Sequence, residues 1–210
     1  MNYETMTLKE LKADLIMDAK KGYPFFLAGT LYWLAVGLLG FFFEGRLLSL
    51  MYVLGCGSIF PMAIAIGKLL RVNLLTKNPL GVLGGIIGGI QAFFLPVWIV
   101  IYMEQYELIP MAIGILGASH FLPYLWIYQS KTYGVLTVLM AVISLVFGYV
   151  LSDYAFSLLP FLLAVLYTFT AVNLLMEARA FSPLGDVSKA RTEQQASRVP
   201  LVFNDQTLGK

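Results

Sequence analysis

Six long apolar stretches fill the chain from Pro24 to Met176, and each is long enough to cross the hydrocarbon core of a bilayer as a helix. Such a crossing takes roughly 20 apolar residues, because each residue advances about 1.5 Å through a core about 30 Å thick. The stretches are Pro24–Phe43, Leu47–Leu70, Pro79–Tyr102, Leu108–Tyr128, Tyr133–Leu151 and Tyr154–Met176. None carries Asp, Glu, Arg or Lys in its central part, and Lys68 lies near one end, where its stem can reach the interface. With 59% hydrophobic and 12% charged residues, the chain is far from the balance of a soluble domain. The short segments of alternating polarity that mark a transmembrane β-barrel do not occur. The expected fold is all-α, a polytopic membrane bundle of six transmembrane helices.

Charge gives the expected orientation. Thirteen of the fourteen Lys and Arg residues fall on one side of these six spans: four in the N-terminal arm, three around the second connection, Lys131 in the fourth, and five in the tail. The other side keeps only Arg46, beside Glu44, Glu104, Glu107 and Asp153. Basic residues stay on the cytoplasmic face, so both termini are expected inside, in a multi-pass protein of the cell (inner) membrane. Tyr23, Tyr124, Trp126, Tyr128 and Tyr133 then fall near the inner interface, and Tyr52, Trp98, Tyr102, Tyr106, Tyr149 and Tyr154 near the outer one. Tyr32, Trp33 and Tyr167 fall at mid-span instead, where a hydroxyl or an indole N–H needs a partner.

Three regions follow from composition. Residues 1–22 form a cytoplasmic amphipathic arm. Within it Thr7 and Glu10 match a capping box, and Leu8, Leu11 and Leu15 share one face of a short helix over 6–19. The arm lacks the layout of a secretory signal. Residues 23–177 are the six-helix domain. Residues 178–210 turn polar and hold too few apolar groups for a core, so disorder is expected there.

The third span is the most specific piece of sequence. Gly81, Gly84, Gly85, Gly88 and Gly89 fall within an arc of about 140° at about 100° per residue, a small-residue face that lets another helix approach closely. Gln91 lies beside that face. His120, the only histidine, sits about eight residues, or roughly 12 Å, above the cytoplasmic end of the fourth span. Measured along their own spans, Tyr32, Ser58, Gln91, His120 and Tyr167 reach similar depths. Five spans thereby bring neutral polar groups to one level, a candidate ligand pocket open toward the cytoplasm. Pro61, Pro96, Pro123 and Pro160 lie inside four spans, and each frees a backbone carbonyl.

Absences narrow the chemistry. The spans hold no carboxylate to couple protons or sodium and no Arg series to sense voltage. One histidine and the lone Cys56 cannot build a metal or haem site, so no cofactor and no catalytic set are expected. Walker, nucleophile-elbow, HExxH and EF-hand patterns do not occur. The partners expected are the lipid bilayer, a small apolar ligand or lipid, and further copies of the chain, with no nucleic acid.

Two stretches, Arg71-Val72-Asn73 through Asn78-Pro79-Leu80-Gly81 and Gly117-Ala118-Ser119-His120-Phe121-Leu122-Pro123 through Tyr128-Gln129-Ser130-Lys131, resemble an uncharacterised family of small bacterial multi-span inner-membrane proteins. The likeness covers about residues 10–176 in layout, and the polar tail departs from it. The resemblance implies a bacterial inner-membrane location and no activity, and it directs attention to Asn78, Gly81, His120, Pro123 and Lys131.

Three functions are compatible with these features. The first is a non-enzymatic membrane protein that binds or passes a small apolar or neutral molecule through the intramembrane pocket. The second is a structural or partner-binding protein packing through the glycine face. The third is a lipid-acting membrane enzyme with His120 as base, for which the spans offer no orienting carboxylate.

Overall fold

The computed structural model describes residues 3–182, and every regular element among them is helical. The chain divides into two units, Met1–Arg179, which holds the bundle, and Ala180–Lys210. The polar tail expected after residue 177 lies almost wholly outside the described residues.

The helices are α1 (Leu8–Ala19), α2 (Tyr23–Leu39), α3 (Gly45–Cys56), α4 (Ile59–Leu69), α5 (Pro79–Gly89), α6 (Leu95–Gln105), α7 (Ile109–Ser119), α8 (Leu122–Ile127), α9 (Lys131–Leu145) and α10 (Leu159–Ala180). Four helical runs are long and apolar enough to cross a membrane: Leu8–Leu39, Pro79–Ile127, Lys131–Val150 and Leu159–Ala180. A fifth is reached if α3 and α4, bent by 47° at their junction, count as one span. The 49-residue run Pro79–Ile127 covers the stretches read from sequence as the third and fourth spans. It turns back at Gln105, whose backbone leaves the helical region, so that α6 packs on α7 and α5 on α8. The surface suits a membrane-embedded protein, since Phe41, Phe42, Leu69 and Phe93 are all more than 70% exposed.

The structure breaks three of the six stretches read from sequence as spans. The second is interrupted at Gly57–Ser58, the third becomes a tighter 3₁₀ segment at Ile90–Phe94, and the fourth breaks between Ser119 and Leu122. Each break lies just before a proline: Pro61, Pro96 and Pro123. A proline ring clashes with the preceding turn and supplies no N–H, so the chain resets its helix there. Pro96 and Pro123 lie in the first turn of α6 and α8, where the missing donor costs nothing, as do Pro24, Pro79 and Pro110 in α2, α5 and α7.

α1 is separated from α2 by three consecutive residues with left-handed backbone, Lys20, Lys21 and Gly22. Its N-terminus closes the Thr7–Glu10 capping box. Its flank docks on the loop before α5: Asn78 Nδ2 donates to Leu11 O at 2.8 Å and to Asp14 Oδ2 at 2.9 Å, while Thr76 Oγ1 donates to Asp18 Oδ2 at 2.8 Å. Lys12 lies over the Trp126 ring, 3.6 Å from its centroid. The core of the bundle is apolar and aromatic, with Phe26, Trp33, Tyr52, Leu136, Met140 and Leu163 nearly inaccessible.

Candidate functional site

Polar residues sit at all three breaks: Ser58 in the second stretch, Gln91 in the third and His120 in the fourth. A residue at a break is released from strict helical register, so it can reach sideways to a neighbouring helix. Gln91 and His120 do this toward each other. Gln91 Nε2 lies 3.0 Å from His120 Nε2 and 2.7 Å from Nδ1. His120 Nδ1 also meets the carbonyl oxygen of Gly117. A carbonyl can only accept, so Nδ1 carries the proton and donates it to Gly117, which leaves Nε2 to accept from the Gln91 amide. The imidazole is held between the Phe121 ring, 3.9 Å between centroids, and the Tyr124 ring at 6.3 Å.

Beside this pair is a cavity of about 20 Å³, lined by Tyr32, Trp33, Cys56, Ile59, Gln91, Trp98, Ile113, Gly117, Met140 and Tyr167. That is room for about one water-sized group. Three of the five residues read from sequence as pocket candidates, Tyr32, Gln91 and Tyr167, therefore share one wall. His120 joins them through Gln91. Ser58 does not, because its hydroxyl donates to Gly55 O of its own helix at 2.6 Å and the residue is exposed. The Tyr32 hydroxyl crosses to α3 and donates to Tyr52 O at 2.9 Å. Tyr167 lies against Gly29, where even a Cβ would overlap its ring, so glycine at that position lets α2 and α10 approach.

The glycine face of α5 splits in two. Gly84 and Gly88 look at Tyr124, whose ring and hydroxyl stand 3.2 and 3.3 Å from where their Cβ atoms would be. The Tyr124 hydroxyl donates to Gly84 O at 2.5 Å. Gly81 meets Thr76 and Leu15, whereas Gly85 and Gly89 have nothing within 4 Å.

Sequence reasoning passed over Trp98, Cys56 and Met140. Trp98 was expected in the outer aromatic belt, but it lines the cavity and is 5% exposed. Its position seven residues after Gln91 puts the two on one helix face, two turns apart, a signal the sequence contained. Glu177, the acid at the inner end of the sixth stretch, accepts from Lys21 Nζ at 2.7 Å and Thr132 Oγ1 at 2.6 Å. Among the described residues, no three His, Cys, Asp or Glu side chains cluster as metal ligands would.

These features define a class: an all-helical bundle of membrane-type apolar helices, broken at three places and joined by a neutral amide–imidazole pair. The chain belongs to the family described as "Family of unknown function (DUF7010)", which matches residues 8–177. No curated protein and no solved structure matches it.

Proposed function

We propose that this is a bacterial inner-membrane protein that binds or passes a small apolar or neutral molecule at the level of its helix breaks. The observation that carries this reading is the Gln91–His120 hydrogen bond joining two broken segments beside a cavity that Tyr32, Gln91 and Tyr167 also line. Interrupted helices are tolerated within a membrane where the freed backbone groups face protein or a cavity. Here the interruptions and the polar side chains coincide. The absence of a charged residue from the cavity wall matches a neutral cargo. In this reading the chain crosses the membrane six times with both termini in the cytoplasm, supported by the thirteen-to-one division of basic residues.

The test uses full-length protein in proteoliposomes and in detergent. Osmotic swelling is followed with urea and glycerol as permeants, and thermal stability with the same solutes plus small hydrocarbons. A solute effect present in the wild type and lost in Gln91→Leu supports the reading. No solute effect in either assay removes it.

One observation favours a second reading, in which the protein acts through helix association. Gly85 and Gly89, four residues apart on the exposed side of α5, leave the helix backbone open to a close-packing partner. Blue-native sizing of wild type and Gly85→Leu separates the readings: a dimer lost on substitution supports association, and an unchanged monomer opposes it.

A further inference from the structure

Lys12 is a nearly covered cation that the described chain supplies with no anion. The residue is 6% exposed, and its ammonium stands 3.6 Å from the centroid of the Trp126 ring. Among the described residues it has no ion pair and no hydrogen bond, whereas Lys21, the other buried lysine, is answered by Glu177. The acids of α1 lie away from it: at about 100° per residue, Glu10, Asp14 and Asp18 fall about 160°, 200° and 240° around the helix. Asp14 and Asp18 are taken up on that opposite flank by Asn78 and Thr76. The ring covers only one side of the ammonium, so its other N–H groups are left for an acceptor. That side is not sealed. The enclosed, unpartnered polar atoms are the Trp33 and Trp98 indole nitrogens and the hydroxyls of Tyr52, Ser130 and Ser144, and Lys12 Nζ is not one of them.

The pair lies where the helices end. Trp126 is in the last turn of α8, and Asn78, immediately before α5, holds Leu11 and Asp14 of α1. α1 therefore runs across the end where α5 starts and α8 stops, the level at which headgroups meet apolar helices in a membrane-embedded bundle. Trp126 is 51% exposed, and Leu122, one turn deeper on the same face of α8, is exposed as well. Lys20 at the end of α1, Lys68 at the end of α4, and Arg71 and Lys77 in the loop before α5 are exposed cations of the same end. An occupant must offer an anion to Lys12 and carbon chains to Leu122, and an anionic phospholipid carries both in that order. The surrounding cations favour a net negative headgroup over a zwitterionic one.

We propose that Lys12 and Trp126 form a binding site for an anionic phospholipid. The lipid phosphate accepts from the free N–H groups of the ammonium, the indole lies at the level of the glycerol, and an acyl chain runs along Leu122. Trp126 acts as the platform that holds the ammonium at the surface, and the buried stem of Lys12 limits its freedom, so little is lost in ordering it when the phosphate arrives. The proposal needs a membrane-embedded bundle and is independent of the pocket reading above.

Native mass spectrometry tests this on full-length protein released from nanodiscs of equal parts phosphatidylglycerol and phosphatidylcholine. The wild type is expected to keep one phosphatidylglycerol under activation that strips the other lipids. Lys12→Met keeps the stem and loses the charge, and should lower that occupancy about tenfold. Lys12→Arg should retain it, and Lys68→Met should leave it unchanged. If Lys12→Met fails to fold, Trp126→Leu, at an exposed position, carries the same expectation because the ammonium loses its platform. Retention by either variant at the wild-type level overturns the proposal. So does an equal loss in Lys68→Met, which would mean diffuse attraction to the basic end, or equal retention of phosphatidylcholine. Inorganic phosphate is the probe for a soluble anion: in phosphatidylcholine nanodiscs, a phosphate adduct on the wild type that is lost in Lys12→Met would overturn the lipid assignment.

Discussion

Lys21 Nζ and Glu177 Oε2 are 156 positions apart in the chain and 2.7 Å apart in space, and they join the start of the bundle to its last helix. The lysine side chain is 8% exposed and the glutamate 34%. Thr132 adds a hydrogen bond to the same carboxylate, and the Tyr133 hydroxyl donates to Lys21 O at 2.7 Å, so the beginning of α9 is tied into the same knot. Lys21 is also one of the left-handed residues between α1 and α2, and this set of bonds holds that conformation.

Removing one partner should therefore matter unequally. Glu177→Gln leaves a buried ammonium without its counter-charge and should cost about 1–3 kcal/mol, less than for a fully buried pair because Glu177 is a third exposed. Lys21→Met should cost less, since the carboxylate keeps Thr132 and solvent. Thermal unfolding of both variants and the double mutant in detergent measures the coupling. Equal, negligible losses would show the pair to be screened.

The division of the α5 glycines gives a second prediction. Gly84→Leu must displace the Tyr124 ring and its hydrogen bond to Gly84 O, so the folded monomer should lose about 1–3 kcal/mol. Gly85→Leu meets nothing within the chain and should leave monomer stability within about 0.5 kcal/mol. Melting temperatures of the two variants, taken in a detergent that keeps the protein monomeric, decide the matter. A Gly85 variant as unstable as the Gly84 variant would contradict the geometry.

The class of the fold was legible because it rests on apolar length, which the bilayer fixes independently of neighbours. The breaks were legible only in part. The prolines pointed to freed carbonyls, but whether a helix bends around Pro61 or restarts after Ser119 depends on the helices packed against it. For the site, depth along each span grouped Tyr32, Gln91 and Tyr167, and the structure has all three lining one small cavity. Depth alone could not show facing, and so it also selected Ser58, whose hydroxyl returns to its own helix. The same limitation hid Trp98. An aromatic residue near a span end reads as an interface anchor, and only the packing of α6 turned it inward.

Asn78 is the hinge between α1 and α5, which gives a third prediction. It is fully buried, its Oδ1 caps α5 by accepting from Leu80 N at 3.0 Å, and its Nδ2 holds Leu11 and Asp14 of α1. Asn78→Ala removes a cap and two interhelical bonds and should cost about 1–2 kcal/mol. The local effect should be larger: hydrogen exchange across 8–19 should rise well above that of α9. Protection in α1 equal to wild type would mean that its leucine face, not Asn78, holds the arm.

Topology supplies a fourth prediction. In a Cys56→Ala background, single cysteines at Lys77 and Lys131 should be labelled only from the cytoplasmic side, and cysteines at Arg46 and Ser152 only from outside. The motive is the thirteen-to-one charge division. External labelling at position 77 would refute the six-span arrangement.

The last prediction concerns His120, whose two ring nitrogens have separate jobs. Nδ1 donates to Gly117 within its own helix, and Nε2 accepts from Gln91 across to the third stretch. His120→Gln retains a neutral side chain able to donate and accept, so folding should survive with a loss below about 1 kcal/mol. His120→Leu leaves the Gln91 amide without its acceptor beside an apolar cavity and should cost about 1–3 kcal/mol. Gln91→Leu should cost a similar amount, and the double Leu variant should cost less than the sum because neither group is then left unpaired. Thermal unfolding of the four variants gives the coupling energy. Additive losses would mean that the two side chains meet without depending on each other. Strong coupling, with the Gln variant still showing the solute response proposed above, would make His120 a brace for Gln91 rather than a contact of the ligand.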